Sequence, residues 1–571
     1  MTRSSFVKEN SKNTHIGSDA LKDKIKKPDL PKIGKKEIDN ALQTLTRYRA
    51  GKVNLERRII ENEQWFKLRH WEQMRVNQDE AEPASAWLFN SIANKHADAM
   101  DNYPQVICLP REKSDSDSAD SLSQILPVIF DRNEFERVYS DAWWQKLKAG
   151  TACYGAFWNP RLSGGVGDIE IRQIDILNLF WESGVKNIEN SRNLFHTELF
   201  DNDYLISLYP ELDGKLSTPT VEVSRYIYDD AVDTSEKSVV IDWYYKISQS
   251  KGDVLHYCKF CNGVVLYASE NDESCKDTGF YSHGCYPFVL DPLFIEEGTP
   301  CGFGYIDIMK NTQKQIDLLG SAIINNAKMA SAVRYFINSA GSVNEEEFAD
   351  WQSSFVHVQG SNLGEDSLRQ IRIAPISEIY IAILNNKIDE LKETSGNRDF
   401  SQGSASGGVT AASAIAALQE AGNKLTRDMI KGGYRAFTKL NELCIELIRQ
   451  FYDEPRCFRI TGVGGERDYI TYDNSLLKPK NQGNAFGITL GNRLPIFDIK
   501  VSSQKASPFT KLSQNELALQ LYTNGMFNPM MKQQALAAIE MMDFEGKAQV
   551  LARIASQDTQ GGESYDDKGI G

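Results

Sequence analysis

Two long amphipathic helices bracket a small insertion near the middle of the chain. In residues 305–330, apolar side chains recur one or two turns apart on one face of a helix, and residues 376–394 show a second apolar stripe. Residues 331–375 between them contain turn glycines and short apolar pairs, and they end at Pro375. This pattern predicts a stalk of two packed helices that carries a small tip. The first helix has an opposite, polar face formed by Lys310, Gln313, Lys314, Asp317 and Asn325.

The residues before the stalk change from a helical period to an alternating one at Gly150. Alternation of polar and apolar residues is typical of half-buried strands, and Asn262-Gly263 between two such runs predicts a type I′ hairpin. The sequence therefore predicts an α+β fold, with helices first and a β-rich region over about 150–295. The predicted helices are 37–80, 83–100, 119–129 and 134–149, and the predicted strands include 168–174, 239–247, 254–260 and 264–267.

The residues after the stalk begin with a loop rich in glycine and serine, 396–409. A very long helix is predicted over 410–452, and Gly432-Gly433 within it predicts a kink. Further strands are predicted at 457–463, 468–473 and 496–501, and further helices at 511–524 and 529–556.

Charged residues are unevenly distributed along the chain. The 571 residues carry a formal net charge of −14, yet residues 1–36 hold ten basic and four acidic residues. We predict a flexible basic arm over 1–40, although the same composition suits a solvated tail without function. The acidic remainder argues against a protein that grips nucleic acid over a broad surface.

Motifs of the common enzyme classes are absent from the sequence. It contains no Walker A loop, no H-E-x-x-H and no G-x-S-x-G, and its seven histidines are isolated. We therefore predict neither enzymatic activity nor a cofactor. The sequence contains no run of about 18 apolar residues, so no membrane-spanning helix is predicted. The first residues lack the apolar core of a secretory signal.

Cys258-x-x-Cys261 is the sharpest chemical signal. The spacing suits a zinc knuckle, and Cys275, Cys285 and Cys301 follow it. However, residues three apart on a strand face opposite sides of the sheet. Buried free thiols are therefore the favoured interpretation, and a zinc site stays as the alternative.

Several short stretches, taken in order, carry a family resemblance. They fall in the first helices, in the strands that follow, at the start of the stalk and at the start of the long helix. They are Ala86–Asn90, Asn94–Pro104, Leu109–Glu112, Gly150-Thr151, Tyr154-Gly155, Trp158–Pro160, Asn178–Glu182, Tyr286–Phe288, Gly302–Gly304 and Gly408–Ile415. In this order they resemble the portal protein of tailed bacteriophages, over about residues 40–560.

The resemblance implies a portal-like fold with an α/β wing, a two-helix stem, a small clip, a long kinked wing helix and a helical C-terminal crown. It also implies a virion protein, assembled in the host cytoplasm, that forms a ring of usually about twelve identical subunits at one capsid vertex. The implied divisions are wing 41–302, stem 303–330, clip 331–375, second stem helix 376–395, tunnel loop 396–409, wing 410–506, crown 507–556 and a disordered tail 557–571.

The resemblance also implies partners and candidate functional sites. Double-stranded DNA would pass through the channel during packaging and ejection, past the stem helices' polar faces. The terminase large subunit and later a head–tail connector or adaptor protein would dock at the clip, and major capsid and scaffolding proteins would surround the ring. The candidate tunnel-loop residues are Arg398, Asp399, Phe400, Ser401 and Gln402, and the candidate docking residues are Phe348, Trp351 and Phe355.

Alternatives remain open at each of these places. Phe400 fits an apolar contact at the constriction or packing against the stem, and the whole loop fits a passive connection. The clip aromatics fit a docking surface or the clip's own small core. For the whole chain, another capsid-associated or scaffolding protein is the main alternative, and a zinc-dependent nucleic-acid enzyme is the second.

Overall fold

The computed structural model describes most of the chain before residue 332 and several separate parts after it. The described residues are 32–74, 81–216, 236–249, 252–331, 334–337, 344, 346–347, 357, 368–371, 376–396, 424–461, 467–481, 484–485, 488–489, 492–505, 519–525, 532–540, 550–551 and 554. Helices and strands occur together throughout these parts, which confirms the predicted α+β class.

The described helices fall in the predicted regions, apart from Asn202–Leu208, which the sequence did not predict, and one division of a predicted helix. The predicted helical residues 75–80, 410–423, 511–518, 529–531 and 541–549 lie outside the described part of the chain. The segment 37–80, predicted as one helix, is two, because Leu68 adopts a left-handed conformation (φ 61°) that ends the first helix. The described helices are α1 (Lys35–Phe66), α2 (His70–Gln73), α3 (Trp87–Met100), α4 (Ser116–Arg132), α5 (Phe135–Ala149), α6 (Asn202–Leu208), α7 (Tyr305–Ser331), α8 (Glu378–Ser395), α9 (Lys424–Phe451) and α10 (Lys532–Glu540).

The strands include all those predicted from the alternating runs. They are β1 (Asn102–Pro110), β2 (Thr151–Asn159), β3 (Asp168–Gln173), β4 (Leu179–Trp181), β5 (Asn193–Asp201), β6 (Lys237–Gln249), β7 (Gly252–Cys261), β8 (Val264–Ala268), β9 (Phe288–Pro292), β10 (Phe294–Ile295), β11 (Gly302–Phe303), β12 (Arg334–Ile337), β13 (Leu368–Ile371), β14 (Arg456–Thr461), β15 (Arg467–Tyr472), β16 (Lys480–Asn481), β17 (Asn484–Ala485), β18 (Ile488–Thr489), β19 (Asn492–Arg493) and β20 (Phe497–Lys505).

A five-stranded antiparallel sheet, in the order β4-β5-β6-β7-β8, forms the centre of the β-rich region. Its last turn is the predicted hairpin, since Asn262 and Gly263 both have positive φ (46° and 78°). Cys258 packs on the side of the sheet that faces α1, whereas Cys261 packs on the other side with Leu205. The two thiols therefore cannot share a metal ion, which confirms the interpretation as buried free cysteines.

The start of α1 is held against this sheet. Ile33 and Ile38 are buried in the same cluster as Cys258, and the backbone of Ile33 both donates to and accepts from the Asn271 side chain at 2.9 and 3.0 Å. Residues 32–40, which the sequence assigned to a flexible arm, are therefore anchored. Residues 1–31 lie outside the described part of the chain.

The main core joins segments that are far apart in sequence. A second sheet, β3-β2-β9, packs with α5 and α9, and β1 pairs with β20 along nine residues each. The side chain of Trp143 on α5 is fully buried in this core. Elements that follow the paired helices α7 and α8 in the sequence, α9 and β20, thus pack into the same core as elements that precede them. None of the helices in these described ranges combines the length and apolar composition needed to cross a membrane.

The glycine pair in α9 serves close packing. The helix continues through Gly432 and Gly433, and the kink predicted there stays a prediction. A Cβ atom on Gly433 would lie 2.9 Å from Cζ2 of Trp143, whereas the nearest atoms to a Cβ on Gly432 are 3.8 Å away. Gly433 is therefore required where α9 crosses α5.

This difference predicts opposite effects of two neighbouring substitutions. Gly433→Ala should lower the free energy of unfolding by about 1–3 kcal/mol, because the added methyl group overpacks the core against Trp143. Gly432→Ala should raise it by up to ~1 kcal/mol, because alanine favours a helix and meets open space. Urea unfolding of the two variants measures both changes, and equal effects would contradict the packing explanation.

Candidate subunit interface

The residues predicted as functional sites fall outside the described part of the chain. This holds for the tunnel-loop residues Arg398, Asp399, Phe400, Ser401 and Gln402 and for the clip residues Phe348, Trp351 and Phe355. Their roles stay predictions. The described structure instead characterises the two helices that connect these segments to the rest of the chain.

Helices α7 and α8 pack side by side, as the two apolar stripes predicted. Between them, β12 and β13 pair in antiparallel fashion, so the end of α7 lies near the start of α8. Ile316 on α7 and Leu391 on α8 are buried in the main core, and Leu384 and Ile388 pack against it. The inner halves of both helices are therefore fixed to the body of the subunit.

Three glycines determine how α7 leaves the body. Gly150 ends α5 with a φ of 86°, and a Cβ atom there would lie 2.4 Å from the carbonyl carbon of Phe303. A Cβ atom on Gly302 would lie 2.1 Å from the carbonyl oxygen of Phe294, and one on Gly304 would lie 2.7 Å from that of Leu147. No other residue allows the backbone to approach this closely. The Gly-Phe-Gly motif thus presses the start of α7 against the end of α5.

The polar face of α7 has a different role from the one predicted. Gln313, Asp317, Ser321 and Asn325 recur every four residues, and all four bind residues 81–88, which precede and begin α3. Gln313 Nε2 donates to the carbonyl oxygen of Ser85 at 3.0 Å, Ser321 Oγ donates to that of Ala81 at 2.6 Å, and Asn325 Oδ1 accepts from the Ala81 amide at 3.0 Å. Of the five residues assigned to a channel-facing surface, Gln313, Asp317 and Asn325 are therefore engaged within the subunit.

Lys310 and Lys314 complete that predicted polar face. Lys310 pairs with Glu61 of α1 at 3.0 Å, so it too binds within the subunit, whereas Lys314 is exposed. Sequence periodicity could separate the polar from the apolar face but could not show which one would meet residues 81–88. That segment has backbone groups without a helix or strand partner, and side chains of α7 satisfy them.

Asp317 is the centre of this contact. Its Oδ2 lies 2.6 Å from Nδ1 of His70, and both side chains are buried, at 1% and 0% exposure. Its Oδ1 accepts from both the amide and the hydroxyl of Ser85 at 3.2 and 3.0 Å. The His70 ring stacks on Trp65 with centroids 4.6 Å apart, and its Nε2 lies 3.0 Å from the Trp65 carbonyl oxygen. This network links α7 to the end of α1, and nothing in its spacing along the sequence indicated it.

The outer halves of α7 and α8 expose large apolar side chains. On the first turns of α8, Ile379 is 60% exposed and Ile383 is 40% exposed, with Tyr380 and Ile381 exposed between them. Leu318, Ile324 and Met329 are exposed on α7. Exposed apolar residues are ordinary and occur elsewhere on the subunit, for example Ile295 at 77%, but four of them within the first two turns of α8 mark a contact surface. The outer part of the predicted stripe on α8 is therefore exposed in the part of the subunit that the structure describes.

The charges on the solvent side of α8 are mostly acidic. Glu378, Asp389, Glu390 and Glu393 are exposed, whereas both lysines of the helix are half-buried. Lys387 pairs with Glu390 at 2.7 Å, and Lys392 lies over the Trp87 ring at 5.5 Å from its centroid. A helix with this distribution repels polyanions more than it attracts them.

One cluster in the five-stranded sheet has the composition of a metal site. Ligand atoms of His196, Glu198 and Asp242 lie within 4.8 Å of one another. However, Lys259 Nζ lies 3.2 Å from Asp242, and Arg172 donates to Glu198 at 2.8 Å. Burial would raise the pKa of Asp242, but Lys259 and His196 outweigh it and hold the pKa below its usual range. Both carboxylates are therefore charged and already paired with basic side chains, so this cluster is an ion-pair network.

The sequence matches the model of a known protein family. The family described as phage P22-like portal proteins matches residues 55–567, which is nearly the whole chain. No curated protein matches the sequence.

Proposed function

This chain belongs to the phage P22-like portal protein family, and we propose that its copies close into a ring of about twelve subunits at one capsid vertex. The ring is the channel for DNA during packaging and ejection. The family is one of structural proteins of the phage head, and the match favours this role over the alternatives of a scaffolding protein and a zinc-dependent enzyme.

The exposed apolar surface of α7 and α8 is the observation that carries the proposal. A ring closes when one surface of a subunit binds a different surface of its neighbour. Ile379, Ile383 and Met329 are large and exposed on these helices. Ile316 and Leu391, on the same two helices, are instead buried in the core of the body. Burial of these side chains between neighbouring subunits removes apolar area from water and makes α7 and α8 the stem of the ring.

The acidic side of α8 supports a channel through which DNA slides. Basic side chains that neutralise phosphates release counterions and bind the duplex, whereas carboxylates do not. Asp389 and Glu390 are exposed on α8. A stem with this surface guides DNA without holding it.

Two segments that lie mostly outside the described residues complete the proposal. The clip, 331–375, docks the terminase large subunit and later the head–tail connector through Phe348, Trp351 and Phe355. The tunnel loop, 396–409, with Arg398, Asp399, Phe400, Ser401 and Gln402, sets the narrowest aperture around double-stranded DNA. Major capsid and scaffolding proteins contact the outer rim. The order of these segments along the sequence and the family match support these assignments.

Packaging assays on two variants test this function. Deletion of 401–408 should leave the ring intact but impair packaging or retention of DNA, because the loop then no longer closes on the duplex. Replacement of 345–352 by a Gly/Ser linker of equal length should impair packaging through loss of terminase docking. Particles assembled with the unchanged chain are the control. Normal DNA content with both variants would contradict the roles of both segments.

A further inference from the structure

A cleft of about 690 Å³ lies between α1 and the five-stranded sheet. Arg47 and Tyr48 of α1 form one side of it. Glu182 and Arg192, from the connection between β4 and β5, form its rim, and Trp243 of β6 forms its floor. Clefts that combine aromatic walls with a few placed charges are the usual form of binding sites.

The aromatic floor of the cleft is rigid. Trp243 stacks on Tyr245 with ring centroids 4.2 Å apart, and its Nε1 donates to Oδ1 of Asn193 at 3.0 Å. The Tyr48 ring meets Phe195 edge-on at 6.0 Å. These contacts hold the Trp243 and Tyr48 rings in fixed orientations, and both remain partly exposed to the cleft. An aromatic side chain of a ligand can therefore pack there without reordering the site.

Two guanidinium groups in the cleft have no carboxylate partner among the described residues. Arg47 donates to the Thr44 hydroxyl at 3.1 Å, and neither Arg47 nor Arg192 forms an ion pair there. Burial raises the pKa of Tyr48 and the Glu182 carboxylate adds to this effect, whereas a hydrogen bond with Asn193 and both guanidiniums lower it, so these charges all lie near its hydroxyl. Lys246, by contrast, is paired with Glu189 at 2.6 Å. The cleft therefore carries two arginines against one carboxylate, Glu182, and this excess of positive charge suits a ligand with several carboxylates.

We propose that this cleft binds the acidic C-terminal segment of the chain, Glu563–Asp567. In this segment Glu563, Asp566 and Asp567 flank a single aromatic residue, Tyr565, which matches two arginines beside an aromatic floor. Glu563 follows the last described residue, Ile554, by nine positions, and an extended chain of that length spans roughly 30 Å.

Fluorescence anisotropy with a labelled peptide of residues 557–571 tests the proposal on the full chain. Glu563→Gln, Asp566→Asn and Asp567→Asn together neutralise the chain's own segment, so this variant should bind the peptide at least tenfold more tightly than the unchanged chain. Adding Arg47→Gln and Arg192→Gln should weaken binding at least tenfold. Arg137→Gln is the matched control. Arg137 lies on α5, which does not line the cleft, and its side chain is 74% exposed and pairs with the nearby Glu134.

Two further peptides keep the outcome decisive. A labelled peptide that carries the same three neutral substitutions should not bind the neutralised chain. This measurement uses a protein with both arginines in place, so it does not depend on how the arginine variants fold. Another acidic segment, 217–235, holds Tyr226, Tyr228, Asp229 and Asp230, and its peptide should bind more weakly. Equal binding of the peptide with and without the two arginines, or tighter binding of the second segment, would overturn the proposal.

Discussion

Replacement of both Ile379 and Ile383 by glutamate is expected to abolish the ring and leave folded single subunits. The two side chains are 60% and 40% exposed within one subunit, so the change costs little in the isolated chain. In the proposed ring they would lie between neighbouring stem helices, where two unpaired carboxylates per subunit would be buried at each contact. Native mass should fall from a large multiple of 64.3 kDa to 64.3 kDa itself.

Valine at the same two positions is the matched control. Ile379→Val with Ile383→Val keeps an apolar surface of nearly the same shape, so this variant should retain the ring. Circular dichroism of both variants should match that of the unchanged chain. A ring of unchanged mass in the glutamate variant would show that α8 does not form the subunit contact.

Removal of one partner from the Lys146–Asp291 ion pair should give the largest loss of stability. Lys146 on α5 contacts both carboxylate oxygens of Asp291 on β9, at 2.7 and 2.8 Å, and the two side chains are 1% and 2% exposed. Burial lowers the pKa of Lys146, and Asp291 opposes this effect. Asp291→Ala leaves a buried ammonium group without its partner and should cost about 3–5 kcal/mol of unfolding free energy.

Loss of both charges should largely restore stability. The double variant Lys146→Met with Asp291→Leu replaces the pair by apolar side chains of similar volume, a change that is often neutral in buried sites. Glu297→Ala is the control, because its pair with Lys186 is exposed at the surface and should contribute little. Urea unfolding of the four proteins measures these differences. A double variant as unstable as Asp291→Ala would show that the pair is not the source of the loss.

Local patterns in the sequence were sufficient for most elements of the fold. The alternation in 168–174 became β3, and Asn262-Gly263 became the turn between β7 and β8, because the choice of strand and turn depends mainly on neighbouring residues. The apolar stripes of α7 and α8 also predicted that the two helices pack together. The short helix α2 was missed, because nothing in the sequence marked the left-handed conformation of Leu68.

Contacts between distant segments were not predictable from the sequence. Gln313 and Asp317 were placed on a free polar face, yet they bind residues 81–88, more than 200 positions away along the chain. Arg47, Arg192 and Trp243 come together in one cleft from three separate elements, and no local spacing indicated it. Gly433 has a packing role that depends on Trp143, which lies on another helix.

Electron cryo-microscopy of the purified full chain is the most direct test of the ring. The expected result is a rotationally symmetric particle of about twelve subunits with an open central channel. The channel should be surrounded by α7 and α8, with Ile379 and Ile383 buried between neighbouring subunits. A chain that stays monomeric at high concentration, or a ring in which both side chains face solvent, would contradict this structure of the portal.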